Sequence, residues 1–191
     1  MVNKEILPAN ERSQLYWLLS DCFLQVPSAT SYSAIAQALQ IPDDGTIDIM
    51  ELRKEFTRLF RGIQESYGPP PPYESLYRCS EFPTDIVEAT LSYFQAAGFE
   101  AAEICTEPPD FLASELKLMG LLAFKEHECI QQGNKEQSLV YITLQQKFLH
   151  NHLMIWVPEY CQILIEASRV EFYRSLARYL SNFLIEMEQN T

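Results

Sequence analysis

The side chains best suited to chemistry in this chain are three histidines and five cysteines, and their spacing does not assemble a site. His127 follows Glu126 and precedes Cys129 by two residues, and residues two apart on a helix point to different sides of it. His150 and His152 have the same spacing. Because a metal site needs three or four convergent ligands, we predict no metal, no cofactor and no catalytic residue, and structural or surface roles for the histidines.

Motifs of nucleotide and acyl-transfer enzymes are also absent. The chain has only six glycines and contains no GxGxxG, GxxxxGK[ST] or GxSxG pattern, so it offers neither a phosphate-binding loop nor a nucleophile elbow. The interpretation favoured by these absences is a protein that binds another polypeptide and is not an enzyme. The alternative is a helical-bundle enzyme or small-ligand binder that uses His127, Glu126 and Cys129 as a metal or acid–base cluster.

The charge and the cysteine content of the chain limit which classes of partner and which cellular compartment suit it. Fourteen basic residues against 26 acidic ones give a net charge of −12, which repels nucleic acid and anionic lipid. The five cysteines are odd in number and form no CxxC pair, which favours a reducing compartment. The N-terminus has no long apolar run, and charges interrupt every apolar stretch before 18 residues. We therefore predict a cytoplasmic protein with no membrane insertion.

Apolar residues recur at helical spacing over most of the chain. Leu15, Leu18, Leu19 and Cys22 form one such stripe, and period-2 alternation typical of strands is absent. We predict an all-α fold, a single domain over residues 1–191 built as an irregular bundle of about seven to eight helices with a long Pro-rich loop. The helices are expected at 10–25, 33–39, 47–60, 85–97, 110–132, 134–153, 157–167 and 169–187.

Several helix ends have predicted signals. Asn10, Asn134 and Asp110 are expected as N-caps, because Asn and Asp side chains accept hydrogen bonds from free helix N–H groups. Gly133 is expected to end the longest helix. The sequence Trp156-Val157-Pro158 is expected to separate two helices, with proline near the start of the second.

Two segments outside the regular helices are the functional candidates. Four prolines, Pro69 to Pro72, lie in a predicted loop over residues 62–83. They form a conformationally stiff segment directly before the aromatic run Tyr73-Glu74-Ser75-Leu76-Tyr77. The run Glu107-Pro108-Pro109-Asp110 forms a rigid turn before the longest helix. Each could be structural, as a plug in the core or as a cap. The functional hypothesis is that both border one groove that takes a hydrophobic peptide, with arginines paired to Glu74, Glu107, Asp110 or Glu115.

These motifs resemble the TorD/DmsD/NarJ family of redox-enzyme maturation chaperones. The likeness spans nearly the whole chain and rests on Pro71 to Tyr77, and on residues 107–116, which look like the family signature E-x-P-D-H-x-x-x-E-L. It also rests on Phe148-Leu149-x-x-His152-Leu153 with Trp156 and Pro158. This chain has Phe111 where the signature has histidine, so that histidine's role is not carried over, whereas Asp110 and Glu115 match.

The resemblance implies an all-helical cytoplasmic chaperone for a molybdenum-containing oxidoreductase. Its partner would be the precursor of the catalytic subunit, bound through a twin-arginine leader or as the apo subunit, so that cofactor insertion precedes export. Guanine nucleotide binding and a domain-swapped dimer in place of a monomer, described for some relatives, stay open, and the client reductase is not identified. The expected peptide-binding residues are Tyr73, Glu74, Ser75, Leu76, Tyr77, Glu107, Pro108, Pro109, Asp110, Phe111 and Glu115.

Overall fold

The structure is a computed structural model that describes residues 7–41, 48–62, 67–78 and 83–190. Within these ranges the chain forms helices and no strand, which confirms the all-α prediction; one isolated bridge joins Tyr73 and Phe111. A π-helical turn, Leu149–Leu153, connects α8 to α9 without a break. The helices are α1 (Ala9–Leu24), α2 (Ala29–Ala38), α3 (Ile49–Phe60), α4 (Glu74–Tyr77), α5 (Pro83–Ala96), α6 (Ala101–Ile104), α7 (Leu112–Gln131), α8 (Lys135–Phe148), α9 (Met154–Ala167) and α10 (Glu171–Gln189).

The longest helix, α7, is the centre of the bundle. It packs against α1 on one side and α8 on another, while α10 packs against α9. Leu116, Met119 and Ala123 are buried along one stripe of α7, and Leu118 and Leu122 are buried beside it. Apolar residues around so much of a helix require neighbours on several sides. None of the described helices is both long and apolar enough to cross a bilayer.

The crossing of α1 and α7 depends on a glycine. A Cβ atom on Gly120 would lie 2.3 Å from Cδ1 of Trp17, which is far inside van der Waals contact. We expect Gly120→Ala to lower the free energy of unfolding by about 1–3 kcal/mol, because the core must shift to admit the methyl group. Denaturant unfolding measures this loss.

The matched control for Gly120→Ala is the same substitution in a Trp17→Ala background. Without the indole the clash is gone, and alanine should then stabilise the helix by about 1 kcal/mol relative to glycine. An equal loss in both backgrounds would contradict the close-approach explanation.

Two predicted N-caps are wrong and one is confirmed. Helix α1 begins at Ala9 with Pro8 in the N-cap position, so Asn10 lies inside the helix. Helix α7 begins at Leu112 with Phe111 in the N-cap position and no side-chain cap, because the side chain of Asp110 is bonded elsewhere. Asn134 does cap α8, accepting a hydrogen bond from the N–H of Gln137 at 3.1 Å.

The predicted helix break at Trp156–Pro158 is also wrong, since Pro158 lies inside α9. Proline has no N–H to donate to the carbonyl four residues earlier, which disfavours it there. The neighbouring side chains of Trp156, Val157, Tyr160 and Cys161 are all buried. Tertiary packing of this face therefore outweighs the unfavourable local propensity.

The predicted 62–83 loop contains structure that the sequence pattern did not show. Residues 63–66 and 79–82 lie outside the described residues, and between these stretches the chain forms the one-turn helix α4. The short helix α6 was not predicted either. Helices of one turn leave too few apolar positions for a periodic signal.

Candidate functional site

The two candidate segments lie side by side. The N–H of Leu112 donates to the carbonyl of Pro72, and the N–H of Glu74 donates to the carbonyl of Asp110, both at 2.9 Å. The rings of Tyr73 and Phe111 meet with centroids 5.0 Å apart. The proline segment before α4 therefore fixes this helix across the N-terminal end of α7.

A side-chain hydrogen bond adds to this backbone pairing. The hydroxyl of Ser75 donates to Oδ2 of Asp110 at 2.6 Å, and Asp110 is buried. The predicted capping carboxylate instead holds α4 in place.

We expect Asp110→Ala to lower the free energy of unfolding by about 1.5–3 kcal/mol, because a hydrogen bond to a charged acceptor is lost. The cost should be shared with its donor, so the double variant with Ser75→Ala should be little worse than Asp110→Ala alone. A double-mutant cycle from urea unfolding measures this coupling. Strictly additive losses would contradict a direct bond and point to separate roles.

Glu74 is the centre of a buried polar cluster. Its side chain is 0% exposed, and each oxygen has a partner: Oε1 accepts from Nη1 of Arg78 at 2.6 Å, and Oε2 accepts from Nδ1 of His152 at 2.8 Å. His152 lies on the π-helical turn, with its ring stacked on Phe148 at 4.6 Å between centroids and edge-on to Tyr93. π-helical turns are often found at functional sites, and this one brings an imidazole to a carboxylate 78 residues away in sequence.

A second buried carboxyl, Glu115, faces the first. The indole Nε1 of Trp156 donates to Oε2 of Glu115 at 3.2 Å, while Oε1 has no donor if both glutamates are ionised. Burial, and then the charge of Glu74, hold the pKa of Glu115 well above its usual range. Burial also acts to raise the pKa of Glu74, but hydrogen bonds from His152 and Glu115 outweigh it and the pKa of Glu74 is lowered. The two pKa values are moved in opposite directions, which favours a single proton shared by the pair and held mainly by Glu115.

The same three side chains have the geometry of a metal site. Glu74, Glu115 and His152 each offer one ligand atom, and these atoms lie within 4.8 Å of one another; they are the group among residues 7–41, 48–62, 67–78 and 83–190 that could hold an ion. Glu126, His127 and Cys129 do not come together in this way. The carboxylate of Glu126 is bound by Arg12 and by the amide of Gln145 at 2.8 Å.

Helix α4 also carries an exposed apolar side chain, since Leu76 is 56% exposed. The ring of Tyr77 stacks on Trp156 with centroids 5.5 Å apart, and its hydroxyl donates to the carbonyl of Pro70 at 2.5 Å. Because α4 packs on α9, the backbone that carries Leu76 is held in place.

The remaining acidic candidate, Glu107, forms a surface ion pair. Its Oε1 accepts from Nη1 of Arg61 at 2.7 Å, and both side chains are partly exposed. Arg61 also donates to the carbonyl of Leu24 and lies over the ring of Phe56. This pair fastens the end of α3 to the turn before α7.

The predicted site residues therefore divide by the direction they face. Glu74, Asp110, Phe111 and Glu115 are buried; Leu76 and Pro108 are exposed; Tyr73, Ser75, Tyr77, Glu107 and Pro109 are intermediate. Of the four carboxylates proposed to pair with arginines, three are buried in this conformation and have partners within the chain. Glu107 is the one that is partly exposed.

Sequence reasoning missed three members of the cluster. Arg78 and Glu74 are four residues apart, as are His152 and Trp156, and residues four apart share a helix face. Those spacings were the available signal. The contact between the two pairs depends on the tertiary fold.

Comparison with known proteins gives a consistent set of relatives. A family model described as nitrate reductase delta subunit matches residues 24–162. The chaperone protein TorD of Vibrio parahaemolyticus is 26% identical over 211 residues, covering 94% of each chain. The chlorate reductase assembly chaperone protein of Ideonella dechloratans is 24% identical, covering 70% of this chain and 75% of its own. A solved structure described as a redox enzyme maturation protein from Archaeoglobus fulgidus has the same fold, with a TM-score of 0.55 at 17% identity, covering 96% of this chain and 98% of that one.

Proposed function

This chain belongs to the TorD/DmsD/NarJ family of redox-enzyme maturation chaperones, the family of the nitrate reductase delta subunit, and we propose that it acts in the cytoplasm on the precursor of a molybdenum-cofactor oxidoreductase. The family consists of chaperones and not of catalysts. The chain binds the twin-arginine leader, the apo catalytic subunit or both. Binding assists cofactor insertion and holds back export until assembly is complete.

The observation that supports this proposal is the fixed position of α4 against α7. Two backbone hydrogen bonds and the Ser75–Asp110 bond hold α4, while Leu76 stays exposed. An ordered apolar surface binds a peptide at low entropic cost. The apolar part of a leader contacts Leu76 and the rings of Tyr73 and Tyr77, which removes apolar surface from water at about 25 cal/mol per Å².

Charge supports the same partner. A net charge of −12 attracts the basic end of a leader and raises the rate of encounter. Glu107 is the partly exposed carboxylate of the candidate set, and it is the one that a leader arginine reaches without any rearrangement of the buried cluster.

We expect Leu76→Ser to weaken binding of a synthetic twin-arginine leader about tenfold, because a leucine contact of roughly 1–2 kcal/mol is lost. The measurement is fluorescence anisotropy with a labelled leader peptide, alongside thermal unfolding of each variant.

The matched control for Leu76→Ser is Leu139→Ser on α8, since Leu139 is 60% exposed and so has comparable access to solvent. This control should bind the leader like the unmodified chain. Equal affinities of both variants for the leader would place the binding surface elsewhere.

A further inference from the structure

The ion pair of Glu74 and Arg78 links the surface of the protein to its core. The side chain of Glu74 is 0% exposed, whereas that of Arg78 is 30% exposed. Nη1 of Arg78 also donates to the carbonyl of Asn151 at 3.2 Å, and Asn151 is an exposed residue of the π-helical turn. The guanidinium thus enters from solvent between α4 and the π-helical turn and ends on a buried carboxylate.

The other groups around Glu74 are fixed by the fold. His152 is hydrogen-bonded to Oε2 of Glu74, and the indole of Trp156 donates a hydrogen bond to the neighbouring Glu115. These side chains are buried, and His152 and Trp156 lie on the continuous helical segment from α8 to α9. Arg78 alone among these partners reaches the cluster by a long, partly solvated side chain.

The partly buried position of this cation favours a guanidinium over an ammonium group. A carboxylate oxygen and a backbone carbonyl lie within reach of one guanidinium nitrogen, and the planar group carries further N–H donors beside it. A guanidinium is also less strongly hydrated than an ammonium, so it is transferred to a partly buried position more readily. We therefore expect the position to prefer arginine to lysine.

We propose that Glu74 Oε1 and the Asn151 carbonyl form a guanidinium subsite, which Arg78 occupies in the free protein and which an arginine of the bound polypeptide takes over. The identity of that polypeptide as an export leader rests on the proposed function. The exchange replaces one guanidinium by another, so the buried carboxylate keeps its counter-charge throughout. Arg78 then moves into solvent, to which its side chain is already 30% exposed.

The subsite is tested first with a small probe and the intact chain. Arg78→Ala leaves Glu74 without its cation, so we expect a lower melting temperature that N-acetylarginine amide restores in a saturable way. N-acetyllysine amide should restore much less. The double variant Glu74→Gln/Arg78→Ala lacks the charged acceptor and should show no saturable response.

Absence of a saturable arginine effect in Arg78→Ala beyond that in Glu74→Gln/Arg78→Ala would overturn the subsite. If Arg78→Ala does not fold, Arg78→Gln is used with the same probes and the same criteria, because its shorter neutral side chain leaves the carboxylate free.

The exchange itself is tested with leader peptides. A leader arginine no longer competes with Arg78 in Arg78→Ala, so this variant should bind a twin-arginine leader about tenfold more tightly than the unmodified chain, a change of roughly 1.4 kcal/mol. A leader with both arginines replaced by lysine should bind the two proteins equally. Weaker or unchanged binding of the arginine leader to Arg78→Ala would contradict the exchange.

The two failures are distinguishable. If the unmodified chain binds no leader, the proposed function fails, and the N-acetylarginine amide result still decides whether the subsite exists. The other outcome is that the leader binds, but N-acetylarginine amide does not stabilise Arg78→Ala and the leader binds this variant no more tightly than the unmodified chain. In that case the subsite fails and the proposed function stands.

Discussion

Replacing Glu74 by alanine is expected to lower the free energy of unfolding by about 3–5 kcal/mol, the usual loss when one partner of a buried charge pair is removed. The substitution leaves Arg78 and His152 without their shared acceptor and removes the group that faces Glu115. Chemical denaturation at neutral pH measures the loss.

A surface glutamate provides the comparison for Glu74→Ala. Glu171 also accepts from side chains, those of Arg174, Ser175 and Arg178, but its own side chain is 49% exposed. Exposed ion pairs contribute about 0–1 kcal/mol, so Glu171→Ala should cost far less. Similar losses for both substitutions would mean that the Glu74 cluster does not hold the fold together.

Replacing Glu115 by glutamine is expected to change how stability depends on pH. The pKa of Glu115 is raised in the folded protein, chiefly by burial, so the proton stays on Glu115 after the unfolded chain has lost it. Its contribution to stability is full below the unfolded pKa and falls as pH rises toward the folded pKa, by about 1.4 kcal/mol per pH unit. Glutamine cannot ionise and still offers a donor to Glu74, so that decline should disappear.

The pH prediction is checked by denaturant unfolding of both proteins from mildly acidic to alkaline pH. The free energy of unfolding of Glu115→Gln, relative to that of the unmodified chain, should increase as pH rises. At acid pH both proteins should lose stability together, because the lowered pKa of Glu74 makes its contribution disappear as pH falls. Parallel stability curves over the whole range would contradict a shared proton in the cluster.

The residues that stabilise α4 also position the proposed binding surface. Glu74 is the first residue of α4, and its bonds to His152 and Arg78 tie that helix to the π-helical turn. Two positions further on, Leu76 is exposed. The buried cluster therefore positions the apolar surface that we propose for the leader.

The long helices could be predicted from sequence because their apolar residues repeat over several turns. The wide apolar face of α7 is visible in the sequence, and such a face is typical of a central helix. Helix starts were less predictable, since a capping side chain competes with other partners. Asp110 illustrates this, because its carboxylate accepts from Ser75 and not from the free N–H groups of α7.

The pairing of the two candidate segments was also predicted, but the direction of their carboxylates was not. That direction depends on residues far away in sequence, such as Trp156 for Glu115, 41 residues apart. It depends as well on the π-helical turn, whose wider turn alters which residues share a face. The spacing of His152 and Trp156 predicts that they share a face, but it does not show that residues 149–153 form a π-helical turn or that this face meets Glu74.

The most direct test of the account is an anisotropy titration of a labelled twin-arginine leader with the intact chain at low and at high salt. We expect saturable binding that weakens with salt but persists, since apolar contact supplies affinity while charge supplies rate and orientation. A leader whose apolar residues are replaced by serine should bind poorly at both salt concentrations. Binding that vanishes at high salt, or that is indifferent to the apolar residues of the leader, would contradict the central claim that α4 presents an apolar peptide-binding surface.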